Sequence, residues 1–171
     1  VISMIGELLT SGSAAHMVAA VLLLGGGAVF AVCGTALGFI DVREHRLPNR
    51  IVYPWAAITF GLLVLTAFLL TDAAGLGRAV AAGLGWGLLF LLVALIHPPA
   101  VGMGDAKLAV VLGMYTGFLG WGTFAAGLAL SFVLGGVVSI GLLLSRRAAS
   151  TSRIAFGPFL IMGTALALIF S

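Results

Sequence analysis

The chain has 171 residues, 62% hydrophobic and only 8% charged, with 25 glycines and a formal net charge of +3. A water-soluble domain carries roughly 25% charged residues, so the polar surface here is too small to cover a globule in water and lipid must be the main solvent. The basic residues are not interleaved with aromatics, which argues against a nucleic acid partner. The single cysteine, Cys33, can form neither an internal disulfide nor a four-cysteine zinc site, and reads as a small buried hydrophobe.

Backbone polar groups cannot be left bare in lipid, so spans must be helices or a closed barrel. The apolar runs are long and unbroken rather than alternating, which selects helices. The expectation is an all-α polytopic membrane protein with about six transmembrane helices, forming one domain over residues 1–171. In chain order the expected segments are 15–40, 51–70, 79–96, 106–119, 122–144 and 156–170. The first is long enough to span and others follow it, so it reads as a retained helix, not a cleaved signal. The fourth and sixth, at roughly 22 Å each, are short for a ~30 Å hydrocarbon core. Leu47-Pro48-Asn49 breaks the chain after the first segment, and His97-Pro98-Pro99 ends the third. Gly157-Pro158 stands where the sixth begins, since a proline is tolerated in a first turn. Gly25, Gly26 and Gly27 in the first segment, and Gly83, Gly85 and Gly87 in the third, allow close helix approach. No strand precedes any glycine cluster, which excludes a dinucleotide-binding loop.

With six spans, Arg43, Arg46, Arg50, Lys107, Arg146, Arg147 and Arg153 all fall on one side, and only Arg78 falls on the other, near Asp72. Basic loops stay cytoplasmic. The expected location is therefore the inner (plasma) membrane, with both chain ends facing outward.

Five acidic residues are present. Glu7 and Asp72 belong to the outer side, and Glu44 sits among arginines, where surface pairing is expected. Asp41 and Asp105 differ. Asp41 follows Leu37-Gly38-Phe39-Ile40 at the cytoplasmic end of the first segment, and Asp105 closes Gly102-Met103-Gly104-Asp105 and opens the fourth. An ionisable residue in or near hydrocarbon marks a functional site by default. A helix N-cap is a structural alternative for Asp105. That alternative is weaker for Asp41, because a carboxylate at a helix C-terminus faces the unfavourable end of the dipole. Two carboxylates at matching depth can share one proton, since like charges a few ångströms apart cannot both ionise. Such a pair supplies a base to activate water and an acid to protonate a leaving amine, which is the chemistry of aspartic proteolysis. The two titrate as a unit. Gly102 and Gly104, lacking a Cβ, let backbone approach a peptide or a facing helix.

Asp41-Val42-Arg43-Glu44-His45-Arg46-Leu47-Pro48-Asn49 resembles the first aspartate motif of type IV prepilin peptidases, in which an aspartate precedes a basic stretch and a Leu/Ile-Pro-Asn. Gly102-Met103-Gly104-Asp105-Ala106-Lys107-Leu108 resembles the GxGD motif of that family with its following lysine. Ile154-Ala155-Phe156-Gly157-Pro158-Phe159 resembles its late Pro-Phe-Gly-Pro segment, with Ala155 where proline is common. The resemblance covers essentially the whole chain. It implies a membrane aspartyl endopeptidase that cleaves the basic leader of type IV pilin-like precursors at the cytoplasmic membrane face. It also implies Asp41 and Asp105 as the catalytic pair, with Gly102, Gly104, Lys107, Pro48 and Asn49 binding substrate or shaping the site. Many bacterial members of the family add a domain with zinc-binding cysteines and methylate the trimmed pilin. With one cysteine, this sequence resembles a peptidase-only form that needs no cofactor and no metal. Presenilin-type proteases share GxGD, but their first aspartate follows a tyrosine, whereas Ile40 precedes Asp41 here.

The other readings fit less well. His16, His45 and His97 fall in different segments without paired ligand spacing. Ser131 and Ser139 are deep but have no matching histidine, so helix packing is their expected role. A small ion- or proton-coupled transporter could use the same two aspartates, but its site belongs near the midplane. A non-catalytic scaffold would make both aspartates dispensable.

Overall fold

The computed structural model describes residues 1–44, 46–96, 102–144 and 156–171, without the side chains of residues 3 and 142–144. The described residues form seven α-helices: α1 (Ile2–Thr10), α2 (Ala14–Glu44), α3 (Asn49–Leu70), α4 (Ala73–Ile96), α5 (Met103–Leu119), α6 (Trp121–Leu144) and α7 (Gly157–Phe170). The expected all-α polytopic architecture is found. Among the described residues, α2, α3, α4 and the stretch Trp121–Gly141 of α6 are long and apolar enough to cross a membrane, while α7 is apolar but shorter. Large apolar side chains such as Val32, Phe68, Leu95 and Val137 lie exposed, as lipid-facing residues do.

Three boundaries move by three residues or more. Helix α2 continues past residue 40 to Glu44, so Asp41 lies inside it. Helix α4 starts at Ala73 rather than 79, because the Asp72 carboxylate accepts the Gly75 N–H at 2.8 Å and caps its first turn. Helix α5 starts at Met103 with Gly102 as N-cap, which draws Asp105 into its first turn. Helix α1 was not among the expected segments; nine residues are too few to span, and it packs on α2. Gly120, at φ 143°, makes the one-residue turn between α5 and α6, a conformation that needs glycine.

Helix α5 is the core of the bundle. It touches α3, α4, α6 and α7, and every residue from Val111 to Phe118 is buried. A helix enclosed by protein need not match the bilayer thickness, which accounts for the shortness of the fourth segment. Its closest neighbour is α4. A Cβ at Gly113 would lie 2.7 Å from the Ala82 carbonyl oxygen, and one at Gly83 would lie 2.8 Å from that of Val110. Only glycine permits this backbone approach, as in small-residue membrane helix packing. Tyr115 ties three helices together: its hydroxyl donates to the Gly26 carbonyl at 2.9 Å and accepts from Thr59 Oγ1 at 3.0 Å and Trp55 Nε1 at 3.3 Å. Ser131 packs α6 on α7, donating to the Gly127 and Leu160 carbonyls, and Ser139 bonds back to Gly135.

The ends of the bundle differ in charge. Arg43, Arg46, Arg50 and Lys107 lie where α2 ends and α3 and α5 begin. Asp72 and Arg78 lie at the opposite end, where they pair at 3.7 Å and Arg78 reaches the Phe118 carbonyl at the end of α5. Val1 and Ser171 lie at that same far end. The breaks at His97-Pro98-Pro99, the basic residues Arg146, Arg147 and Arg153, and His45 lie outside the described residues.

Candidate active site

Three helix ends meet at one point. Asp41 projects from the last turn of α2, Asp105 from the first turn of α5, and Gly157 opens α7. Both carboxylates are buried, Asp41 at 5% and Asp105 at 8% exposure. A Cβ built on Gly157 would lie 2.6 Å from Asp41 Oδ2 and 3.7 Å from Asp105 Oδ1. Two acids brought from positions 64 residues apart in sequence thus border the same small volume.

Each carboxylate has a backbone partner. The Gly157 N–H donates to Asp41 Oδ2 at 3.1 Å, and the Gly102 N–H donates to Asp105 Oδ2 at 3.1 Å. The expected cost of a carboxylate at the C-terminal end of α2 is therefore offset by the N-terminal end of α7. Asp105 sits at the third helical position of α5 rather than at the N-cap, yet it still performs a capping bond, reaching back to the N–H of the N-cap residue. That bond uses Oδ2 and leaves Oδ1 as the oxygen nearer Gly157.

The remaining motif residues frame this pair. A Cβ at Gly104 would lie 2.9 Å from Leu47 Cβ, so its absence lets the α2–α3 loop press onto the start of α5. Gly102 is exposed and serves as N-cap and donor. Lys107 Nζ donates to Asn49 Oδ1 at 2.9 Å and lies 5.1 Å from the centre of the Tyr53 ring, which pins the first turn of α5 to the first turn of α3. Pro48 is the N-cap residue of α3, and its carbonyl accepts the Ile51 N–H at 3.0 Å.

Gly157 was not among the residues expected at the site. The Gly-Pro pair marked a helix start, but nothing local in it signals a bond to Asp41, 116 residues away. An apolar cavity of about 510 Å³ opens between α2, α3, α5 and α7; it reaches Thr35 and Ile161, a turn or more short of the carboxylates. Its lining carries no acidic, basic or cysteine side chain, and the Tyr115 phenol on its wall is already hydrogen-bonded to Gly26, Thr59 and Trp55. No group of three or more His, Cys, Asp or Glu side chains that could hold a metal occurs among the described residues.

Fold and site together define a multi-pass helical membrane protein with a buried carboxylate pair at one end of its bundle. The model of the type IV leader peptidase family matches residues 28–140. The chain is 32% identical over 136 residues to a prepilin leader peptidase/N-methyltransferase of Aeromonas hydrophila, covering 78% of this chain and 45% of that protein. It is 30% identical over 136 residues to a protein of the same name from Stutzerimonas stutzeri, with the same coverage. It is 30% identical over 147 residues to another from Burkholderia pseudomallei, covering 84% of this chain and 46% of that one. The chain belongs to the type IV leader peptidase family. It spans about half the length of these curated relatives. No solved structure matches it significantly.

Proposed function

We propose that residues 1–171 act as one membrane aspartyl peptidase unit that removes the basic leader of type IV pilin-like precursors. The observation that carries this reading is the convergence of Asp41 and Asp105 on one small volume beside Gly157. Membership of the type IV leader peptidase family and the names of the similar proteins support it.

In this reading the pair holds a single proton. The ionised member takes a proton from a water molecule as that water attacks the scissile carbonyl, and the protonated member donates to the departing amine. The pair acts as a unit, so neither role belongs to one residue throughout. Backbone bonds from Gly102 and Gly157 hold the carboxylates in place before substrate arrives. Gly102 keeps the space beside Asp105 Oδ2 free of a side chain, Gly104 admits Leu47 of the α2–α3 loop, and Lys107, Pro48 and Asn49 fix the adjoining first turn of α3. The chemistry requires no cofactor.

The site faces the cytoplasmic side of the inner membrane in this account. The support is the set of basic residues at the same end, Arg43, Arg46, Arg50 and Lys107, under the positive-inside rule. All six of α2–α7 would then traverse the bilayer, α5 enclosed by its neighbours and α7 with one face exposed. A transporter is not favoured, because both aspartates sit at helix ends and not at mid-helix.

Co-expression with a pilin-like precursor tests the proposal. The precursor is expected to shorten by its leader, as read by mass spectrometry of its new N-terminus. An intact precursor beside well-expressed, membrane-inserted protein would contradict it.

A further inference from the structure

We infer that the first turn of α7 is the third wall of the catalytic site and that Gly157 is its positioning residue, acting through its N–H and through its missing side chain. This deepens the peptidase reading and rests on it.

The backbone donors of this turn can be followed one by one. Phe159 and Leu160 donate to the Phe156 carbonyl at 3.1 and 3.2 Å, and Pro158 has no N–H. The Gly157 N–H is directed instead to Asp41 Oδ2. An amide bond to a carboxylate is charge-assisted and directional, so it fixes where that oxygen sits.

The turn itself is anchored. Phe156 packs on Phe90 of α4 and Phe132 of α6, at ring-centroid distances of 5.8 and 5.7 Å. Gly135 of α6 gives it room, since a Cβ there would come 2.6 Å from the Phe156 ring. The donor is therefore held by two other helices and not by α7 alone.

The second contribution is space. A methyl group on Gly157 would sit 2.6 Å from Asp41 Oδ2 and 3.3 Å from its Cγ, while staying 3.7 Å from Asp105 Oδ1. It would push Asp41 aside and occupy the volume that both carboxylates border. A water molecule and a scissile carbonyl need that volume.

The test uses the purified chain in lipid vesicles with a pilin-like precursor, measuring kcat, KM and melting temperature. Gly157→Ala is expected to lower kcat about 100-fold, the scale of a 1 Å misplacement, with KM changed by less than about twofold. Replacing Gly157 with glycolic acid, by nonsense suppression with a tRNA charged with the α-hydroxy acid, turns the 156–157 amide into an ester, deletes the N–H without adding bulk and is expected to lower kcat as well. This second variant carries the test should Gly157→Ala not fold. Gly163→Ala is the control: its Cβ meets Ser131 of α6 instead, so it should lower the melting temperature and leave kcat per folded molecule unchanged. Cleavage by both residue-157 variants within about threefold of the unmodified rate would overturn the inference, as would an equal loss of kcat in Gly163→Ala. Asp41→Asn run alongside separates the two levels. If it is inactive while both residue-157 variants are fully active, only the role of Gly157 fails; if it cleaves, the carboxylate-pair mechanism of the peptidase reading fails.

Discussion

Asp41 and Asp105 each do something a purely structural aspartate would do. Asp41 accepts the N–H that opens α7, and Asp105 accepts the N–H of its own N-cap residue. Asparagine can accept the same bonds and is an equally good capping residue. The Asp→Asn exchange therefore separates the two roles: it keeps the acceptor and removes the shared proton. Lys107 makes a different prediction. Lys107→Met keeps the aliphatic stem but loses the bond to Asn49 and the contact with Tyr53. A loss of about 1 kcal/mol in stability is expected, read as a lower melting temperature, with cleavage reduced but present. Unchanged melting would show that Lys107 does not pin the two helix starts together. At this scale the aspartates were legible because charge is rare in so apolar a chain. Gly157 stood out only within the late motif Phe156-Gly157-Pro158, and its contact with Asp41 was not legible, because a motif does not say which distant helix its glycine approaches.

Helix α5 carries Asp105, and its position is set by glycine contacts with α4 rather than by side-chain interdigitation. Gly113→Leu would drive a side chain into the Ala82 carbonyl and the Gly83 Cα, both 2.7 Å from the Cβ position. Overpacking of this kind costs about 1–3 kcal/mol, so the yield of folded protein and its melting temperature should both fall. Tyr115→Phe tests the other tie on α5. It would leave the Thr59 hydroxyl and the Trp55 N–H, both buried, without their partner. Leaving such groups unpaired costs about 1–3 kcal/mol, measurable by denaturation in mild detergent, and no change would refute the tie. Of the glycines expected to allow close approach, Gly83 and Gly87 do meet α5, whereas Gly85, Gly25 and Gly27 face open space, because periodic small residues do not say which face of a helix is covered. That α5 would be enclosed by its neighbours was not legible, because a helix apolar on every face looks the same in sequence whether lipid or protein surrounds it. Helix α1 is hidden in sequence for the opposite reason, since nine residues make too short an apolar run to stand out.

For the whole molecule, the charge asymmetry between the two ends predicts its orientation. In a Cys33→Ser background, a cysteine at Arg46 should be protected from an impermeant thiol reagent added outside the cell, and a cysteine at Asp72 should react. The reverse pattern would put the aspartates on the wrong side. The alternation of basic and weakly charged connections was legible in sequence because hydropathy and charge are local properties. The meeting of three helix ends was not, since it depends on how distant helices pack. The central claim is that these ends form one proton-sharing pair, and the most direct measurement is cleavage of a pilin-like precursor by purified Asp41→Asn and Asp105→Asn proteins in lipid vesicles. Both should melt near the unmodified temperature and leave the precursor intact, whereas normal cleavage by either one would contradict the shared-proton pair.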